Sequence, residues 1–412
     1  MLTTIVAVFT FYILLKIYIS VMQIGYVAHA KKQSPVLMDA ASFLKAGNYV
    51  IAKERMNIIS SFVEYTLFIF WITFGLSFIW QNLLDSGPIW NAISSVWIFL
   101  AVGFLVGLPF EIYMTFKIDE KFGFNKTSKG LFIKDRIIST VLTLVISAGV
   151  IAIVHWIISS SPSWWLYTFA FLFVVIILIN ILFPIMRALF FDKLSPIPEG
   201  ELKDRLGKLF SENGFNNQGL FVSDASKRDA RLNAYFAGIG KHKRVVLFDT
   251  LIEKLSVEEL EAVLGHELGH YNHGDIYKNI FMIGFMLFAT LFVFGNLPQS
   301  FFDEMVIAPT SGVLMQLFML LSPVLFFFLM PIMGRLSRHN EFAADEMGAK
   351  LGSKDHLVSA LTKLVTENKS FPKSHPLYLF FYATHPPVLE RFEAMGVKID
   401  HDDSASGEPW SP

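Results

Sequence analysis

The chain has 412 residues, 53% hydrophobic and 15% aromatic, with a mean hydropathy of +0.50, which excludes an ordinary soluble domain and points to a membrane protein. With 34 Lys and Arg against 35 Asp and Glu, the net charge of −1 gives no global basic field, and nucleic-acid binding is excluded. The absence of cysteine excludes disulfides, thiol nucleophiles and Cys-type zinc sites, so any metal must use His, Asp or Glu.

Apolar stretches of about 20 residues, the length that crosses about 30 Å of hydrocarbon, recur along the chain. They run Leu2 to Val21, Ile58 to Trp80, Ile89 to Phe110, Ile137 to Ile158, Trp164 to Leu189, Ile280 to Asn296 and Val313 to Met333. The first lacks a basic start and a small-residue cleavage site, and reads as a retained anchor rather than a signal peptide. Among polar residues within these spans, Lys16 and Asn91 each read as snorkelling near a helix end or as a satisfied interhelical hydrogen bond. Glu64 and His155 are candidates for a wet interior, and Asn180 is a further costly group.

Loop charge sets the orientation. Lys31, Lys32, Lys45, Lys53 and Arg55 follow the first span, and Lys117, Lys121, Lys126, Lys129, Lys134 and Arg136 follow the third, whereas the alternate loops carry no Lys or Arg. The positive-inside rule then puts the N-terminus outside. It also brings the insert before the sixth span and the tail after the seventh to the same cytoplasmic side. The expected organisation is a five-helix membrane region at 1–190, a cytoplasmic insert at 191–279, spans six and seven at 280–333, a cytoplasmic tail at 334–400 and a disordered tail at 401–412. The expected fold is thus an all-α polytopic membrane protein of seven transmembrane helices, carrying a cytoplasmic α+β region with a small β-hairpin.

The insert opens with "SPIPEGELKDRLGKLF", where Leu202, Leu206, Leu209 and Phe210 fall at helical spacing. "AYFAG" and "RVVLF" then read as two short strands around a turn at 238–241. Ser256 followed by Glu259 is a capping-box pattern, so a helix should start there and carry "HELGH". On that helix His266 and His270 lie one turn apart on one face, able to reach one zinc ion at about 2.0–2.1 Å. Glu267 lies beside the ion without ligating it, placed to take a proton from water that the metal acidifies. The pentapeptide alone also fits an amphipathic helix whose histidines face a polar seam.

A third ligand separates these readings. The extended HExxHxxGxxH pattern is closed, because His273 stands at its glycine position and Ile276 at its last histidine; His273 reads as a surface residue. The alternative is "GRLSRHNEFAADEMGAKLG" after the last span, in which Glu341 can ligate while Asp345, one turn on, accepts the second ring N–H of a zinc histidine. Ala343, Ala344 and Gly348 keep that helix slim enough to pack on the first.

HELGH, "SRHNEFAAD", "NAYFAG", "KFGFNK" and "THPPVLERF", in this order along nearly the whole chain, resemble the type I CAAX prenyl endopeptidases, integral-membrane zinc metalloproteases. The resemblance implies a seven-helix membrane chamber, one Zn2+ per chain held by His266, His270 and Glu341, Glu267 as general base, and endoproteolysis of a substrate C-terminal segment. It also places His385 near the zinc as a donor to an oxyanion. Arg391 either pairs with an acid or touches substrate, and Asn233, Ala234 and Tyr235 on an edge strand either meet an extended peptide or only begin the hairpin. Where family members commonly carry a histidine five residues after the motif, this chain has Asp275. The expected partners are a lipid bilayer and a peptide or protein substrate, prenylated or membrane-associated, met by a monomer. No eukaryotic retention signal is evident, so a bacterial inner membrane is expected over the endoplasmic reticulum. A quality-control membrane protease and a zinc-stabilised scaffold or transporter are the alternatives.

Overall fold

A computed structural model describes residues 1–82, 86–213, 219–237 and 244–398; the expected hairpin turn and the expected disordered tail lie outside them. The membrane region begins with helix α1 (Leu2–Ala30) and α2 (Ala40–Asn82). Asp39 starts α2 by accepting from the amides of Ala41 and Ser42 at 2.9 and 3.1 Å. Helices α3 (Pro88–Phe122), α4 (Lys129–Ser160) and α5 (Trp164–Phe190) follow. Each of α2 and α3 contains a π-helical turn, at Trp71–Gly75 and Met114–Asp119. The main membrane core joins α1 and α2 to the last membrane helix through Phe9, Phe68, Trp71, Leu317 and Phe327.

After α5 the chain builds a layer of short strands and helices. Strand β1 (Leu194–Pro196) precedes the amphipathic helix α6 (Glu201–Glu212), whose Leu206, Leu209 and Phe210 are buried as their spacing implies. Strands β2 (Leu220–Ser223), β3 (Ala234–Ala237) and β4 (Arg244–Phe248) complete a sheet in the order β1-β2-β4-β3. The two expected strands therefore pair antiparallel as β3 and β4, within a sheet to which β2 adds a parallel strand and β1 an antiparallel one. Runs of three and four residues carry too little alternation to be read as strands beforehand.

Helix α7 (Val257–Asn272) carries the HELGH motif and lies under this sheet, with Leu260, Val263, Leu264 and Leu268 in the shared core. Both halves of the capping box at its start are formed. Helices α8 (Asp275–Gly295) and α9 (Ser311–Gly352) are the sixth and seventh of the apolar, membrane-length helices. The chain is a multi-pass membrane protein. Helix α9 has 42 residues, or about 63 Å at 1.5 Å per residue, so it continues without a break past the apolar stretch into the layer of strands and short helices. The segment following the seventh span is thus the same helix, not a separate one. Helices α10 (Lys354–Glu367), α11 (Pro376–Tyr382) and α12 (Val388–Ala394) close the structure.

Of the two readings of Lys16, the structure shows the interhelical bond and not snorkelling. The Lys16 Nζ lies 2.6 Å from Glu64 Oε2 on α2, and the Tyr12 hydroxyl donates to the other Glu64 oxygen at 2.9 Å. A carboxylate at the same depth satisfies the ammonium more directly than a path to the interface. His155 Nδ1 meets Ser311 Oγ at 2.6 Å beside a cavity of about 460 Å³, whose wall includes Asn91 and Gln316. Asn180 bonds back to Ile176 in its own helix.

Candidate metal centre

Helices α7 and α9 approach closely because small residues face each other across their contact. A Cβ on Gly269 would lie 2.7 Å from Ala344 Cα, and one on Gly348 would lie 2.9 Å from His266 Cβ. That approach brings His266, His270 and Glu341 to one point. The two imidazole Nε2 atoms are 3.2 Å apart, His270 Nε2 is 3.2 Å from Glu341 Oε1, and His266 Nε2 is 3.7 Å from Glu341 Oε2. Three donors around a tetrahedral ion with bonds of about 2.0–2.1 Å stand roughly 3.3 Å apart.

The chemistry of these donors fits a cation. His266 Nδ1 donates to Asp345 Oδ1 at 2.9 Å and His270 Nδ1 donates to Asp275 Oδ2 at 2.9 Å. With each proton fixed on Nδ1, two Nε2 lone pairs face one another, and such an arrangement needs a positive charge between them. Glu341 Oε2 is buried with no hydrogen-bond partner among the described residues. Burial pushes the His270 imidazolium down, but the Glu341 and Asp275 carboxylates reverse this and hold it up at about 9, so a proton on Nε2 as well as a metal ion can supply that positive charge.

Each histidine is held by a longer chain of contacts. Asp345 receives Arg391 through Nε at 2.8 Å and Nη2 at 2.5 Å, with all three groups buried. Arg391, considered at sequence level as a substrate contact, lines the cleft but directs these hydrogen bonds to Asp345. Asp275, which the sequence left without a role, also takes Lys278 Nζ at 2.7 Å, and Lys278 reaches Asn340 at 3.3 Å. His273 is exposed at the end of α7.

Glu267 points into a cleft of about 410 Å³ shared with Asn233, Ala234 and His385. Among the described residues it has no hydrogen-bond or ion-pair partner. His385 Nδ1 lies 2.8 Å from Glu341 Oε1, with its side chain 65% exposed. Strand β3 is one of the two edge strands of the sheet. The Ala234 N–H is met by the Asn233 side-chain oxygen at 2.9 Å, whereas the Tyr235 ring turns away to pack edge-on against Phe248. The "KFGFNK" segment anchors the approach to β3: Asn125 bridges Asp229, and the Arg231 guanidinium stacks 4.0 Å over Phe124 while bonding Asp119 and Tyr49.

Seven membrane helices bearing a two-histidine, one-glutamate cluster beside an unpaired carboxylate define a polytopic membrane protein with the donor set of a metallopeptidase. Residues 196–397 match the model of peptidase family M48, and residues 23–193 match that of the CAAX prenyl protease N-terminal region of five membrane helices. The CAAX prenyl protease 1 homolog of Homo sapiens is 32% identical over 433 residues, 90% of each chain. CAAX prenyl protease 1 of Saccharomyces cerevisiae is 31% identical over 409 residues, 88% of each chain. The crystal structure of S. mikatae Ste24p superposes with a TM-score of 0.85 at 30% identity, covering 95% of this chain and 98% of that one. The chain belongs to the M48 peptidases, in the CAAX prenyl protease 1 family. These relatives are eukaryotic, and the expectation of a bacterial membrane gains no support from them.

Proposed function

We propose that this protein is a zinc endopeptidase that cleaves C-terminal segments of prenylated or membrane-associated peptides on the cytoplasmic side of its membrane. The observation that carries this reading is Glu267: a half-buried carboxylate left unpaired beside three converging donors, in a cleft bordered by a free strand edge. A purely structural metal would need a fourth protein ligand and would give Glu267 no task.

His266 Nε2, His270 Nε2 and Glu341 are the groups that hold zinc, which when bound supplies Lewis acidity to a carbonyl oxygen and to water. Glu267 takes the proton of the attacking water on its carboxylate and returns it to the leaving amine. The His385 ring, on the exposed side of Glu341, donates to the oxyanion. An extended peptide pairs with β3, whose edge-facing backbone groups at Ala234 and Phe236 align the scissile bond over Glu267; Asn233 swings off the Ala234 N–H to admit it.

The test is cleavage of a farnesylated C-terminal peptide beside an unprenylated membrane peptide, by the purified protein and by Glu267→Gln. The expected result is retained zinc and a loss of at least about a hundredfold in turnover for the variant. Unchanged turnover in Glu267→Gln would sink the mechanism. Stoichiometric zinc with neither peptide cut by the unaltered protein would favour the scaffold.

A further inference from the structure

Asn368 sits at the C-cap of α10, far in sequence from β3 but against it in space. Its side-chain oxygen accepts the Leu232 N–H at 2.8 Å and its side-chain nitrogen donates to the Leu232 carbonyl at 3.0 Å. A carboxamide offers the same acceptor and donor as a peptide unit, so Asn368 bonds Leu232 as a neighbouring strand would. The register shows which edge this is. Ala234 pairs with Leu247 and the Phe248 N–H bonds the Asn233 carbonyl, so Asn233 and Tyr235 face β4. Leu232, Ala234 and Phe236 therefore direct their backbone groups to the open side. Of these three, Leu232 is closed by Asn368.

Asn368 is itself held rigidly. The Ser370 N–H bonds the Val365 carbonyl at 2.9 Å and the Lys369 N–H bonds the Thr366 carbonyl at 3.2 Å, a Schellman closure that places Lys369 at φ 47°. The Lys369 ammonium lies 4.0 Å over the Phe124 ring, tying this cap to the loop that anchors the approach to β3. Asn368 also lines the cleft that holds Glu267 and His385.

We propose that Asn368 is a positioning residue that terminates the β3 edge and fixes the register in which a peptide strand lies relative to Glu267. This rests on the endopeptidase reading above. With Leu232 closed, a peptide can pair only at Ala234 and Phe236; with Leu232 open, a third site lets the peptide slide by two residues, about 6.8 Å. One-residue slips are disfavoured because they turn every side chain to the opposite face.

The experiment is mass-spectrometric mapping of the bonds cut in a membrane-associated peptide by the full chain and by Asn368→Ala and Asn368→Asp, with bound zinc measured on each. The unaltered protein is expected to cut one main bond. Asn368→Ala is expected to keep its zinc, lose about tenfold in kcat/KM and yield a second product displaced by two residues. Asn368→Asp, which retains the acceptor for the Leu232 N–H, is expected to yield less of the displaced product. A single unchanged product from a zinc-loaded Asn368→Ala overturns the proposal, as does a uniform fall in rate with no change in the bond cut. If Asn368→Ala loses its zinc, Asn368→Asp decides; loss of zinc from both assigns Asn368 to folding and overturns the register role. Failure of the unaltered protein to cut any peptide removes the endopeptidase reading and this inference together, an outcome distinct from correct cleavage with no slip in the variants.

Discussion

Arg391 shows how much of the centre depends on single side chains remote from the chemistry. Its guanidinium neutralises Asp345, and Asp345 in turn holds the His266 ring. Removing it leaves a buried carboxylate unpaired, so Arg391→Gln should lower unfolding stability in detergent by about 3 to 5 kcal/mol. Arg391→Lys should recover only part of that, because a point ammonium cannot reproduce the two-pronged contact. Asp275 plays the corresponding part for His270. Asp275→Ala should weaken zinc binding about 10- to 100-fold in a chelator competition while leaving the folded helix content unchanged. The sequence disclosed these residues unequally. His266, Glu267 and His270 share one helix, and their spacing marks them as candidates, although it fits a polar seam as well until Glu341 is considered. The Asp345–Arg391 pair spans 46 positions and the Asn368–Leu232 contact spans 136, so neither has a local pattern to betray it.

At the scale of elements, α7 is held at its start by a capping box that was legible as Ser256 and Glu259, and the structure extends it. Glu259 also takes Ser359 Oγ at 2.6 Å and Lys363 Nζ at 2.7 Å from α10. Ser256→Ala should cost about 1 kcal/mol, seen as a lower thermal midpoint. Burial pushes the Glu259 carboxyl up, but the hydrogen bonds from Lys363, Ser359 and the Ser256 amide outweigh it and hold it below its ordinary value. A depressed folded value stabilises the fold above the ordinary glutamate range, and the contribution is lost as pH falls through the depressed value. The stability difference between the protein and Glu259→Gln should therefore be full at neutral pH, begin to shrink as pH falls through the ordinary glutamate range, where the unfolded carboxyl takes up its proton, and be lost once pH falls through the depressed native value. The membrane helices were legible because about 20 apolar residues leave little alternative, whereas β1 and β2 are too short to show a period. Lys16 illustrates the remaining gap: its partner Glu64 lies 48 positions away on another helix, so the sequence displayed two isolated charges where the molecule has one pair.

Across the whole molecule, the donor set joins segments separated by two membrane helices, with α7 before them and the end of α9 after. A metal held by both would tie the insert that carries α7 to the membrane bundle. Chelation should lower the thermal midpoint of the solubilised protein, and stoichiometric zinc should restore it, with Glu267→Gln behaving like the unaltered chain because that residue holds no metal. An unchanged midpoint on chelation would separate the donors from any tie between the two layers. The order of motifs along the chain sufficed to indicate the family; the sheet, the cap on its edge and the continuity of α9 needed three dimensions.

That continuity makes α9 a rod with one end in lipid and a metal donor near the other. A helix adjusts to bilayer thickness by tilting, and tilt at one end of a rod is displacement at the far end. Glu341 lies eight or more residues beyond the apolar stretch, so a change in acyl-chain length should be felt there as a lateral shift against His266 and His270. The cleavage rate in vesicles should therefore pass through a maximum as the lipid chains are lengthened from about 14 to about 22 carbons. The bilayer would act on this protein as a mechanical setting as well as a solvent.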